Sequence, residues 1–174
     1  MMWPQPVSSV AVVLVVAAAV VWDLKSRRVP NALTLGGAAA AIVVAGFTQG
    51  WPGVLRSGAG WVTGAALFFP LFALGGMGAG DVKLLAALGT WTGAAQVLWV
   101  ALFAAIAGGV LAILVSLYSN HARQLFSNIR LLLTHWSVVG IRPVDALTLD
   151  HGRGPRLPYA VPIALGLLWA LWVQ

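Results

Sequence analysis

The chain has 174 residues, 60% hydrophobic and 8% charged, with a formal net charge of +6 and a mean hydropathy of +0.93. A soluble domain carries about 25% charged residues, so a water-soluble globule is excluded and the class is integral membrane protein, one compact bundle over residues 1–174. The lack of cysteine excludes disulfides, thiolate zinc sites and cysteine nucleophiles, and no basic run interleaved with stacking aromatics points to nucleic acid.

The first apolar run extends from Val7 to Trp22. A cleaved signal peptide places positive charge before such a run, whereas here Lys25, Arg27 and Arg28 follow it. That order predicts an uncleaved anchor with its N-terminus outside and its first loop in the cytoplasm. Pro30 and Asn31 break the backbone and start a second run, Ala32 to Phe47, either with Asn31 as cap or with Pro30 in the first turn. Residues 49–53 read as a turn on the outer side. In the third run, Ser57 to Leu74, Gly60 and Gly64 stand four apart and offer a face for close helix approach. Pro70 is a kink that membrane bundles tolerate.

Next comes Gly75-Gly76-Met77-Gly78-Ala79-Gly80-Asp81-Val82-Lys83, a glycine-rich turn with one carboxylate at its tip. At a rise of about 1.5 Å per residue, the apolar stretch from Val82 to Tyr118 is too long for one crossing of a roughly 30 Å core. The chain is therefore expected to reverse at 89–93, between a short fourth helix, Asp81 to Trp91, and a fifth, Ala95 to Tyr118. A short fourth helix puts Asp81 somewhat below the membrane surface. Residues 119–156 are the polar section, with an amphipathic helix at 122–139 lying along the membrane. The sixth run is Leu157 to Val173. In this path Lys25, Arg27, Arg28, Lys83, Arg123, Arg130, Arg142, Arg153 and Arg156 fall on the cytoplasmic side and Arg56 alone outside, as basic residues distribute in membrane proteins. The expectation is an all-α polytopic membrane protein with six transmembrane helices and both termini extracytoplasmic. Trp3, Trp22, Trp51, Trp61 and Trp91 fall near span ends, among headgroups.

An ionisable residue at the edge of a bilayer is a functional candidate by default. Asp23 ends the first helix on the side where Asp81 begins the fourth, so chain direction alone gives them similar depth. Two carboxylates brought close share one proton. The charged member can then take a proton from water while the neutral one hydrogen-bonds the scissile carbonyl. This is aspartic-peptidase chemistry and requires neither metal nor cofactor. Gly78 and Gly80, lacking side chains, would let a substrate backbone approach Asp81. The bland alternatives are that Asp81 merely caps its helix and that Asp23 is an interfacial charge balanced by Lys25 or Arg27. Asp145 and Asp150 read as solvated. His121, His135 and His151 have no metal-ligand spacing, and the glycine turn lacks the Gly-Lys-Ser/Thr of a phosphate loop.

Asp23 with Arg28-Val29-Pro30-Asn31, and Gly78-Ala79-Gly80-Asp81-Val82-Lys83, resemble the two motifs of the type IV prepilin leader peptidases, membrane aspartic peptidases of the Gly-x-Gly-Asp kind. The resemblance implies removal of a short basic leader from a pilin precursor at the cytoplasmic face of the bacterial inner membrane, just before the precursor's hydrophobic helix. It implies Asp23 and Asp81 as the catalytic pair, with Arg28, Pro30, Asn31, Gly78, Gly80 and Lys83 in supporting roles. Longer members of that family carry a cysteine zinc cluster linked to methylation. This chain lacks it and looks like the short form serving tight-adherence (Flp-type) pili, without methyltransferase activity. The implied partners are the precursor peptide, the lipid bilayer and the pilus-assembly machinery. The last run begins Leu157-Pro158-Tyr159-Ala160-Val161-Pro162, where the family more often has Pro-Tyr/Phe-Gly-Pro, which leaves the role of Tyr159 open. The competing reading is a non-enzymatic transporter subunit or assembly scaffold. A transporter would show mid-span ionisable groups or inverted halves, and neither is found. A Gly-x-Gly-Asp protease cutting within transmembrane helices would need Asp23 deeper than its three basic neighbours allow.

Overall fold

The computed structural model describes residues 6–119, 122–144, 148 and 158–173, which are helical with no strand among them. The helices are α1 (Pro6–Ser26), α2 (Asn31–Ala73), α3 (Ala79–Thr92), α4 (Ala94–Tyr118), α5 (Ala122–Val139) and α6 (Ala160–Trp172). The polar-section residues Asp145, Asp150, His121, His151, Arg153 and Arg156 lie outside the described residues.

α2 contains the second and third apolar runs. The turn expected over 49–53 is reduced to one non-helical residue, Gly50, at φ 64° and ψ −152°. Residues eight apart in a straight helix are roughly 12 Å apart. Yet a Cβ on Gly53 would stand 2.5 Å from the Ala45 carbonyl oxygen, and one on Gly46 would stand 3.4 Å from Val54 Cγ2. The chain therefore folds back at Gly50, and α2 is a hairpin of two arms, 31–49 and 51–73. Glycine supplies the positive φ that this reversal needs. Pro52 falls in the first turn of the second arm, where its missing N–H is no loss.

α3 is the helix around which the others close. Almost every residue from Asp81 to Thr92 is buried. A helix apolar all round is a core helix. Its two late threonines return their hydroxyls to their own backbone, Thr90 Oγ1 to Ala86 O and Thr92 Oγ1 to Leu88 O, both at 3.0 Å. They therefore need no outside partner. The glycine face expected on the third run is used here: a Cβ on Gly60 would collide with the Gly89 backbone, and one on Gly64 would lie 2.5 Å from Leu85 O. Backbone packs on backbone along the α2–α3 contact, the most extensive among the described helices.

α3 reverses into α4 through Gly93 alone, at φ 86°. Arg56 covers this turn, its Nη2 donating to Thr92 O at 3.3 Å. α6 packs on α4 through Gly166, where a Cβ would meet Ala104 N and Val100 O at 2.6 Å. The amphipathic α5 spans the expected 122–139, with Phe126, Ile129 and Leu133 exposed along one stripe.

By length and composition, two helices are able to cross a membrane, Asn31–Ala73 and Ala94–Tyr118. α3 with 14 residues and α6 with 13 are shorter, roughly 20 Å each against a core of roughly 30 Å. Their N-termini meet the end of α1, and the candidate site lies there.

Candidate active site

Asp23 lies in the last turn of α1, which runs four residues past the expected Trp22 and stops at Arg27, at φ 53°. The Arg27 N–H still donates to Asp23 O at 2.8 Å. The Asp23 side chain is 6% exposed, and its Oδ2 accepts from the Ala160 backbone N–H at 3.2 Å. Ala160 is the first residue of α6, whose start has unsatisfied N–H groups and the positive end of its dipole. The unfavourable position of a carboxylate at the end of α1 is thus offset by the beginning of α6.

Asp81 is the third residue of α3 and is 8% exposed. The cap position is taken by Gly78, and the Asp81 N–H donates to Gly78 O at 3.2 Å. The Asp81 carboxylate in turn accepts from the Gly78 backbone. This is the reach-back half of a capping box. The capping alternative is therefore true in part, yet the same carboxylate is an electrostatic neighbour of Asp23. Two elements 58 positions apart in number deliver two buried acids to one place.

The supporting residues divide. Lys83 Nζ donates to Asn31 Oδ1 at 3.0 Å, tying the start of α3 to the start of α2. Neither expected cap is made there: Pro30 is the N-cap of α2 without a side-chain bond, and the Asn31 amide is engaged by Lys83 instead. Pro30 O accepts from the N–H groups of Leu33 and Thr34. Arg28 is exposed, and its carbonyl accepts from Ser26 Oγ at 3.1 Å.

Both motif glycines lie against neighbouring side chains. A Cβ on Gly78 would stand 3.2 Å from Asp81 Oδ2, and one on Gly80 would stand 3.4 Å from Val29 Cβ. Gly78 makes room for the carboxylate, and Gly80 faces the α1–α2 loop.

Two features escaped sequence reasoning, and the role of a third residue was left open. Met77 is buried in the core and pins the glycine turn. Thr148 of the polar section packs against Gly75, whose φ of 75° excludes most other residues. Tyr159 packs on the core, with Asp81 as its charged neighbour. The Pro-Tyr at the head of the last run was its only signal. Beside the glycine turn a cavity of about 260 Å³ is lined by Leu71, Leu74, Gly76, Ile129, Leu132 and Trp136, among others. Among the described residues, no cluster of His, Asp or Glu could hold a metal ion.

A family model described as the type IV leader peptidase family matches residues 10–113, a stretch that contains both aspartates. No curated protein and no solved structure matches the chain.

Proposed function

Because the chain belongs to the type IV leader peptidase family, we propose that it is an aspartic endopeptidase that removes the short basic leader from type IV pilin precursors, with Asp23 and Asp81 as its catalytic pair. The single observation that carries this reading is the convergence of two buried carboxylates, each with a backbone N–H partner.

In the proposed reaction the pair holds one proton. The charged carboxylate takes a proton from water, and the oxygen adds to the scissile carbonyl carbon. The neutral carboxyl hydrogen-bonds the carbonyl oxygen as negative charge builds on it. Collapse breaks the C–N bond, the leaving nitrogen takes a proton from the pair, and one proton remains behind. One water is consumed, yielding one carboxylic acid and one amine.

Two long apolar helices associate the chain with a membrane. We take it as one membrane-embedded unit with six crossings, two of them the arms of α2, and with both termini extracytoplasmic. The dyad then opens toward the cytoplasm of an inner membrane, recessed because α3 and α6 are short. The basic loops flanking it support this orientation. The apolar cavity beside the glycine turn suits the hydrophobic segment that follows a leader. We further take the substrate to be a Flp-type pilin whose cleavage is not followed by methylation, since these 174 residues hold no cysteine.

The test is cleavage of a purified pilin precursor by the purified protein in proteoliposomes. Cleavage at the leader junction, abolished in both Asp23→Asn and Asp81→Asn, is the expected result. Full activity in either variant removes that residue from the mechanism.

A further inference from the structure

We propose that Tyr159 is a third catalytic residue, its phenol donating a hydrogen bond to the carbonyl oxygen of the scissile peptide. The proposal rests on the peptidase reading above and extends it to α6, beyond the stretch that the family model matches.

Three observations place this side chain. The next residue, Ala160, has its backbone N–H on Asp23 Oδ2 at 3.2 Å, which holds the chain at the head of α6 next to one acid. The phenol has the other acid, Asp81, as its charged neighbour. The ring lies along α4 at Gly108, where a Cβ would be in ordinary contact with Tyr159 Cε1 at 3.8 Å and with Pro162 at 3.6 Å. The ring is half-buried, packed on the core, and its hydroxyl makes no side-chain hydrogen bond among the described residues. Phenol groups in such settings ordinarily find a partner. A donor with Asp81 as its charged neighbour and no side-chain partner among the described residues has the substrate as its natural acceptor.

The chemistry has a use for it. A carbonyl oxygen accepts two hydrogen bonds, and the neutral carboxyl of the pair supplies one. The second acceptor site gains charge as water adds, and a preorganised donor aimed there acts mainly on the transition state. A phenol in water holds its proton up to about pH 10, and this one acts here as a donor that does not ionise. The proton count is unchanged: water gives one proton to the pair, the pair gives one to the leaving nitrogen, and the phenol hydrogen bond strengthens and then relaxes.

The experiment compares wild type with Tyr159→Phe, full chain, in the same proteoliposomes and with the same precursor. The expected result is a fall in kcat of roughly 10²-fold, KM within about twofold, and an unchanged melting temperature. Wild-type kcat in the Phe variant, or a loss confined to KM, overturns the proposal. Should the Phe variant unfold, fluorotyrosines incorporated at position 159 take its place, since they change phenol acidity with little change in shape. A kcat that tracks phenol acidity supports the role, and one indifferent to it overturns the role. Asp23→Asn and Asp81→Asn run alongside. Wild type that cleaves nothing defeats the peptidase reading itself, whereas cleavage lost in both Asn variants but intact in Tyr159→Phe defeats only the role of the phenol.

Discussion

Asp23 and Ala160, separated by 137 positions, are joined by one hydrogen bond of 3.2 Å from the Ala160 N–H to the Asp23 carboxylate. The bond closes the bundle, because it links the last turn of the first helix to the first turn of the last. It also separates two contributions of Asp23. An asparagine still offers an oxygen to that N–H, whereas an alanine leaves a buried donor unpaired, at about 1–3 kcal/mol. Asp23→Asn is therefore expected to keep its melting temperature within a few degrees of wild type while losing cleavage. Asp23→Ala should lose both. Thermal unfolding in detergent, run beside the cleavage assay, checks the difference.

The two glycines of the motif should respond unequally to alanine. At Gly78 the new methyl would stand 3.2 Å from Asp81 Oδ2, tight enough to move the carboxylate by a few tenths of an ångström. Misplacements of that order at reacting groups reduce rates by roughly tenfold or more. At Gly80 the nearest atoms are those of Val29, at 3.4–3.7 Å, an ordinary contact. Gly80→Ala should retain most of its kcat. Equal losses in the two variants would contradict this account.

Along the α2–α3 contact, Gly60→Ala is expected to be severe. Its methyl would enter the Gly89 backbone, which cannot step aside without separating two helices. Overpacking of this kind costs about 1–3 kcal/mol or more. Gly58, two positions away, has nothing within 4 Å, and alanine there gains helix propensity of up to about 1 kcal/mol. Melting temperatures of the two variants should move in opposite directions.

The Lys83–Asn31 bond predicts coupling between the starts of α2 and α3. Both residues are on the accessible side, so the expected interaction energy is modest, about 0.5–1.5 kcal/mol. A double-mutant cycle with Lys83→Met and Asn31→Leu, read by unfolding, measures it. Additive effects would mean that the bond does not hold in the membrane.

Where sequence reasoning succeeded, the signal was local. The start of α3 at the glycine turn, the close-approach face of Gly60 and Gly64, and the amphipathic helix at 122–139 each follow from residue type and spacing. Contacts between distant segments were not legible. Nothing near Asp23 announces that Ala160 will donate to it, and nothing near Asn31 says that Lys83 will take its amide in place of a cap. Met77 reads as one more apolar residue in a turn, although its burial anchors that turn. The glycine-rich motif illustrates the boundary well. Its composition marked the place, but the reason for Gly78 and Gly80 depends on where Asp81 Oδ2 and Val29 lie in three dimensions.

The reversal in α2 turns on Gly50 alone, with helix on both sides of it. No slack ribbon hangs beyond the bend for a protease or an antibody to grip, and a peptide tag spliced in at that point would have to unwind an arm to make room. The arms are consequently fit to enter the bilayer together, as one preformed wedge, and the tip of that wedge is the worst location in the chain for a reporter fusion.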